Sequence, residues 1–148
     1  MQLEQTPGPA VQVMDSLYDA GKFEVAYPDG WRVVTSAAES RDALFALGGT
    51  ALRAGLFEQA VAAFSSFISL YPDDPRVMQA VFLRGDALLG VSRWDDAIVD
   101  YGTYLAARPG LIDSYAHERI GDAQLALGQA DAALASYTAA LDAPRGLV

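Results

Sequence analysis

The chain has 148 residues, of which 52% are hydrophobic, and its formal net charge at pH 7 is -9. This length is enough for one domain with its own core, and the acidic balance argues against binding to nucleic-acid phosphates, which requires a basic face. Cysteine is absent, so disulfides and thiolate metal sites are excluded. The sequence has no uncharged apolar run of about 18 residues, so no membrane insertion is expected.

The first 40 residues are predicted to differ from the rest. Residues 1–10 are rich in Pro and Gly and are expected to be a flexible lead-in. Residues 11–40 are expected to form a degenerate N-terminal helical unit that begins with a short helix over 11–20. The segment Tyr27-Pro28-Asp29-Gly30 predicts a turn. A helix is expected to resume from Trp31 to Ser40, with Trp31 packing onto the first full repeat.

Apolar residues at the helical period predict six further helices, at 41–54, 57–70, 75–89, 94–107, 111–127 and 130–142. Gly55 and Gly128 are expected to adopt the left-handed conformation that ends the first helix of a pair. Ser40 is a candidate N-cap, and Asp74 with the following proline predicts another helix start. Ser92 replaces the expected glycine after the third helix and is expected to cap the fourth.

Small and aromatic residues recur at fixed offsets in these helices. The recurring glycines lie 37 and then 36 residues apart. The equivalent positions are Gly48, Gly85 and Gly121; Ala60, Ala97 and Ala133; Phe64, Tyr101 and Tyr137; and Pro72, Pro109 and Pro144. A single amphipathic hairpin cannot bury its apolar stripe alone, so the repetition indicates that neighbouring hairpins cover one another.

The three motifs are LGGTALRAGLFEQAVAAF (47–64), RGDALLGVSRWDDAIVDY (84–101) and IGDAQLALGQADAALASY (120–137). They resemble the tetratricopeptide repeat (TPR) family, whose unit is about 34 residues long. The resemblance implies an all-α, right-handed α-solenoid of antiparallel helix pairs, with full units at 41–74, 75–111 and 112–148. The implied function is a non-catalytic protein–protein interaction scaffold that needs no cofactor.

In TPR proteins the first helix of each pair lines a concave groove. The equivalent positions here are Asp42, Phe45, Gly49, Leu52 and Arg53; Gln79, Phe82, Asp86 and Leu89; and Tyr115, Glu118, Asp122 and Leu125. This strip is aromatic and aliphatic with an acidic edge, so the expected partner is a protein or peptide with apolar and basic residues. Phe45 and Phe82 have no packing role in the repeat pattern. They either bind a partner or are covered by other segments of the chain.

Chaperone-type TPR grooves hold a C-terminal carboxylate with Lys and Asn side chains. The equivalent positions in this chain are Phe45, Gly49, Phe82, Asp86, Glu118 and Asp122. Their acidic groups would repel a carboxylate, so this chain is not expected to be a chaperone-tail clamp.

The sequence shows no arrangement typical of an active site. His117 is the only histidine, and it is expected to be a partly buried packing residue because no second His or Cys could complete a zinc site. Glu118 and Asp122 lie one turn apart, with Asp86 predicted on the same wall. Such carboxylates could serve acid–base chemistry or bind calcium, but a solvated or partner-facing acidic edge is the preferred interpretation.

A second resemblance concerns the segment FSSFISLYPDDPRVMQAVFLRGDAL and the later AIVDYGTYLAARP. Both resemble the TPR subtype of bacterial cell-envelope proteins, of the BamD and CpoB kind, and the solenoids that precede soluble lytic transglycosylase domains. The alternative function is therefore a helical arm of a larger enzyme acting on cell-wall glycan, with its catalytic domain outside this chain. The location would be cytoplasmic for a complete chain, and the cell envelope or periplasm for a fragment of an exported protein.

The last predicted helix carries apolar residues that need cover, including Leu134 and Leu141. A solenoid normally ends on a helix with a polar outer face. Either the chain is a segment of a longer protein, or self-association through this uncapped C-terminal end is expected.

Overall fold

The computed structural model describes residues 23–27, 30–34 and 37–143, with side chains from residue 40 onward. In these ranges a two-stranded hairpin precedes six α-helices. The elements are β1 (Phe23–Tyr27), β2 (Gly30–Val34), α1 (Ala37–Arg53), α2 (Phe57–Leu70), α3 (Val77–Gly90), α4 (Trp94–Ala107), α5 (Asp113–Ala126) and α6 (Ala130–Asp142). The chain divides into two compact units, residues 1–74 and 75–148.

In the first unit, α1 and α2 pack against each other as a helical hairpin. The apolar stripe of α1 contributes Leu44 and Leu47 to the core, and α2 contributes Phe64 and Phe67. The small side chains of Ala51, Ala60 and Ala63 are fully buried between them, which allows the two helices to approach closely.

The strands in front of α1 overturn part of the sequence prediction. β1 and β2 pair antiparallel, from Phe23 opposite Val34 to Tyr27 opposite Gly30, so the helix predicted from Trp31 to Ser40 is wrong. Valine and aromatic residues in FEVAY and GWRVV favour strands. The helix predicted at 11–20, the turn at 28–29 and the side chain of Trp31 lie outside the described residues.

The second unit contains two helical hairpins, α3–α4 and α5–α6, and α4 packs against α5. The hairpins therefore lie side by side, and each covers an apolar face of its neighbour. This is the α-solenoid arrangement that the repeats predict, and the fold class is confirmed. Three helices, α2, α4 and α6, begin and end at the predicted residues. None of the helices in the described ranges is both long and apolar enough to cross a lipid bilayer.

The tight turns within the three hairpins share one backbone geometry. Gly55, Ser92 and Gly128 have positive φ angles of 76°, 60° and 77°. In each turn the next amide donates to the carbonyl five residues earlier, at 2.8, 2.9 and 2.9 Å, which is the hydrogen bond of a Schellman motif. Ser92 thus occupies a glycine position. The prediction that Ser92 caps α4 is wrong, because Arg93 precedes that helix and makes no side-chain cap.

Two other predicted helix starts are also corrected. Ser40 lies inside α1 and is buried, so it is not an N-cap. α3 begins at Val77, and Asp74 is instead buried and ion-paired with the guanidinium of Arg41 at 3.6 Å. A buried carboxylate requires a partner of this kind. Local sequence patterns do not indicate a contact between residues so far apart along the chain.

Candidate partner-binding face

The recurring glycines allow the two helices of each hairpin to approach closely. A Cβ atom built on Gly48 would lie 2.7 Å from the Phe64 ring. In the second unit, a Cβ on Gly85 would lie 3.0 Å from the ring of Tyr101, and one on Gly121 would lie 2.7 Å from that of Tyr137. The prediction that a small residue lets the helices touch is confirmed, and the partner in each case is the recurring aromatic residue.

The predicted groove positions of the first unit lie along α1 and are only partly accessible. Asp42 and Arg53 are exposed, whereas Phe45, Gly49 and Leu52 are half-buried. Arg53 donates a long hydrogen bond to the hydroxyl of Thr50, at 3.5 Å. The C-terminal end of α1 therefore offers a cation next to Leu52.

Phe45 and Phe82 make extensive aromatic contacts. The Phe45 ring lies 6.0 Å from that of Phe64 and 5.3 Å from that of Phe67, measured between centroids. The Phe82 ring lies between 5.1 and 5.6 Å from three tyrosine rings, those of Tyr101, Tyr104 and Tyr115. Both are half-buried, so the prediction that they have no packing role is wrong. The alternative in which the chain covers them describes the structure better.

Asp86 is held by its neighbours. Its carboxylate accepts a hydrogen bond from the hydroxyl of Tyr101 at 2.5 Å. Burial raises the pKa of Asp86, and the Tyr101 hydrogen bond and the nearby Arg119 charge oppose that rise. Burial and the same hydrogen bond raise the pKa of Tyr101 well above its ordinary value. Asp86 is therefore a weaker part of the acidic edge than the sequence predicts.

The same contact recurs in the next hairpin. The Tyr137 hydroxyl donates to the carboxylate of Asp122 at 2.6 Å, and this hydrogen bond raises the pKa of Tyr137 to about 12. In the first hairpin the equivalent positions are Gly49 and Phe64. The carboxylate is thus present in the two hairpins that have a hydroxyl to donate, and absent from the one that does not.

A buried ion pair in the second unit was not predicted from the sequence. Arg84 binds Asp100 with two hydrogen bonds of 2.8 Å, joining α3 to α4. The hydrogen bond to Asp100 raises the pKa of Arg84, and Asp100 is buried. The first hairpin has Leu47 and Ala63 at these positions. Because the first hairpin has an apolar pair at these positions, the fold does not require the charges. Alignment of the repeats places Arg84 opposite Asp100 and could have indicated this ion pair.

The accessible part of the predicted face in the second unit lies mainly on α5. Glu118, Asp122 and Leu125 are exposed, Leu125 by 56%. The ring of Tyr115 lies at their N-terminal end and is partly exposed. On α3, Gln79 is exposed and Leu89 is half-buried, and His117 on α5 is half-buried as predicted.

Arg119 is a component of this face that was not predicted. Its guanidinium lies 4.6 Å from the centroid of the Tyr115 ring, a cation–π distance. The spacing of four residues between Tyr115 and Arg119 on one helix could have revealed the pair. The cation also lies close enough to Asp86 to oppose the rise that burial causes in the pKa of that carboxyl.

These side chains form an apolar strip with two exposed carboxylates, which is suited to binding a chain segment. Residues 115, 118, 122 and 125 recur at three- and four-residue intervals and so share one side of α5. Among the side chains that the structure describes, no three His, Asp or Glu residues are grouped as a metal ion would require.

Comparison with known proteins gives a consistent result. The profile of the tetratricopeptide repeat family matches residues 15–75 and 79–147. A Hsp70-Hsp90 organizing protein of Triticum aestivum is 35% identical over 92 residues, which is 62% of this chain and 15% of that protein. This chain therefore spans a small part of that relative's length.

Solved structures of MamA share the fold. One is 23% identical with a TM-score of 0.63, covering 72% of this chain and 58% of MamA. A mutant form gives a TM-score of 0.65 at 23% identity, covering 74% and 77% of the two chains. MamA of Desulfovibrio magneticus RS-1 is 17% identical with a TM-score of 0.59, covering 68% and 54%. At these identities the likeness shows the fold alone.

Proposed function

Because the chain belongs to the tetratricopeptide repeat family, we propose that it is a non-catalytic scaffold that binds a partner peptide or protein through the first helices of its repeats. The observation that carries the proposal is the exposure of Leu125 beside the carboxylates of Glu118 and Asp122 on one side of α5. An exposed leucine next to acid suits a segment with apolar and basic residues, through apolar burial and charge complementarity.

The partner chemistry follows from the charges that remain accessible. Asp86 is hydrogen-bonded and close to Arg119, whereas Glu118 and Asp122 are exposed. A terminal carboxylate would meet two exposed negative charges there, so a chaperone-type tail is disfavoured. The name of the wheat relative concerns Hsp70 and Hsp90, but this chain has neither Lys nor Asn at the positions where chaperone-type grooves hold the tail.

The test is fluorescence anisotropy with a labelled helical peptide that carries leucines on one side and arginines on the other. Leu125→Asp is expected to weaken binding about ten-fold, as loss of a central apolar contact does. Val99→Asp is the matched control, since Val99 is 63% exposed on α4 and the change adds the same negative charge. Equal effects of the two substitutions would refute the proposed face.

A second comparison tests the charge preference. Glu118→Gln is expected to weaken binding of the arginine-bearing peptide, and rising salt is expected to do the same because exposed charges are screened over about 10 Å at 0.1 M. Glu58→Gln on α2 removes an equally exposed carboxylate as a control. Micromolar binding of a peptide that ends in acidic residues would contradict the predicted partner.

The alternative is a helical arm of a larger protein, such as the glycan-acting enzyme suggested by the second resemblance. It is favoured only by relative length, since the chain spans 15% of the wheat protein and 58% of one MamA chain. Sequencing the parent reading frame tests it, because a catalytic domain after residue 148 would support the arm and its absence would exclude it.

A further inference from the structure

A cleft of about 290 Å³ opens on the second unit between α5 and α6. We call it the end cleft. Its lining residues are Ser114, Glu118, Tyr137, Ala140 and Leu141. The hydroxyl of Ser114 donates a hydrogen bond to the carbonyl of Ala140 at 2.9 Å, so this hydroxyl already has a partner inside the cleft. The groups left for a ligand are the apolar surface and the Glu118 carboxylate.

The same five positions one repeat earlier are occupied. They are Met78, Phe82, Tyr101, Tyr104 and Leu105. There the next helix, α5, places the ring of Tyr115 5.6 Å from that of Phe82. Arg119 stacks on Tyr115 at 4.6 Å and attracts the Asp86 carboxylate. In the middle of the second unit, these positions therefore form the surface against which the following helix, α5, packs.

Burial of the flanking residues agrees with this comparison. Leu134 and Leu141 on α6 are 67% and 72% exposed. Their counterparts on α4, Ile98 and Leu105, are both half-buried, because α5 packs against α4. The end cleft on α6 is thus equivalent to the surface of α4 on which the next hairpin packs.

We propose that the end cleft is a second binding site, which takes an amphipathic helix of another protein. The helix is expected to carry a tyrosine or other large apolar residue with an arginine or lysine four residues later, as α5 does. The cation would face Glu118 and Asp122, as Arg119 faces Asp86. This site shares Glu118 and Asp122 with the proposed partner-binding face, whereas Leu141 lines the cleft and Leu125 does not, so Leu141 separates the two tests.

A second copy of this chain is a poorer occupant by charge. Stacked end to end, its α1 would present Asp42 and Ala46 at the positions that correspond to Tyr115 and Arg119. Asp42 would then approach Glu118 and Asp122, and like charges brought together oppose association. The charges therefore favour a helix of a different protein over a second copy.

The probe is a synthetic peptide of residues 111–126, which contains Tyr115 and Arg119 in their natural spacing, labelled for anisotropy against the full chain. Leu141→Asp in the chain is expected to weaken binding about ten-fold, and Val99→Asp is expected to leave it unchanged. Circular dichroism of both variants establishes that they remain folded.

A charge exchange makes the test specific. Glu118→Lys in the chain is expected to weaken the unaltered peptide and to restore binding of a peptide with Arg119→Glu. Absence of binding, or binding insensitive to Leu141→Asp, would overturn the proposal. Sedimentation showing a dimer of the chain alone that Leu141→Asp dissociates would also overturn it, because the occupant would then be a second copy.

Discussion

Replacing single glycines by alanine tests the helix contacts most sharply, because the structure predicts different signs for one chemical change. Gly102 lies on the exposed side of α4, and a Cβ there would meet nothing within 4 Å. Gly102→Ala is expected to stabilise by about 0.5–1 kcal/mol, since alanine favours a helix over glycine by that amount. This substitution is the reference for the others.

At Gly48 the added methyl would meet the ring of Phe64 at 2.7–2.8 Å, short of the 3.4 Å of ordinary contact. Phe64 is fully buried and packed against Phe45, so its ring cannot retreat freely. Overpacking costs about 1–3 kcal/mol and the gain in helix propensity is about 1 kcal/mol. Gly48→Ala is therefore expected to destabilise by up to about 2 kcal/mol.

The other two glycines fall between these cases. A methyl on Gly85 would lie 3.0 Å from the ring of Tyr101, so loss and gain are expected to cancel to within about 0.5 kcal/mol. Gly121 has a closer contact, at 2.7 Å, but with the ring of Tyr137, which is only half-buried and has room to move. Gly121→Ala is expected to cost less than Gly48→Ala.

Urea unfolding followed by circular dichroism measures the four free energies, provided that the slope with denaturant is unchanged. Hydrogen exchange assigns each change to its own unit, because repeat proteins do not always unfold in one step. If Gly48→Ala were as stabilising as Gly102→Ala, the close approach of helix and ring described above would be refuted.

Three further predictions concern the turns, the ion pair and the tyrosines. Ser92→Gly is expected to stabilise the chain by about 0.5–1 kcal/mol in urea unfolding, because a residue with a side chain is strained in the left-handed backbone conformation. A loss of stability would contradict this. Arg84→Leu is expected to lower the free energy of unfolding by about 2–3 kcal/mol, because it leaves the buried Asp100 carboxylate without its partner. The double variant Arg84→Leu, Asp100→Ala is expected to be nearly as stable as wild type, and additive losses of stability would contradict the pairing. The raised pKa of Tyr137, about 12, means that its stabilising contribution is full below about pH 10 and is lost as the pH rises from there. Alkaline unfolding of Tyr137→Phe is expected to lack this component, and identical pH profiles would contradict it.

The sequence predicted the helices well because their ends are marked by local chemistry. Gly55 and Gly128 adopt positive φ, and glycine tolerates that conformation at little cost. The glycine–aromatic offsets predicted which helices touch, since only a small residue fits beneath a ring. These signals depend on neighbours within a turn or on repetition, and both can be observed in one sequence.

The errors have a different origin. The prediction of an N-terminal helical unit depends on extending the repeat register backwards, although FEVAY and GWRVV are joined by Pro-Asp, and Asp-Gly is typical of a hairpin turn. Asp74 is a residue type that is favoured at N-caps, but it forms an ion pair with Arg41. Rules based on neighbouring residues do not reveal such a contact. At the candidate face, the residue types were predicted, but the packing of Phe82 and the position of Arg119 depend on tertiary contacts.

The most direct test of the proposed scaffold function is an NMR titration of the isotopically labelled chain with the leucine–arginine peptide. We expect amide shift changes to be concentrated along α5 at Tyr115, Glu118 and Leu125, and along the neighbouring side of α3 at Leu89. Val99 on α4 is expected to remain unchanged. Changes concentrated on α4, or spread evenly over the chain, would contradict the assignment of the partner-binding face.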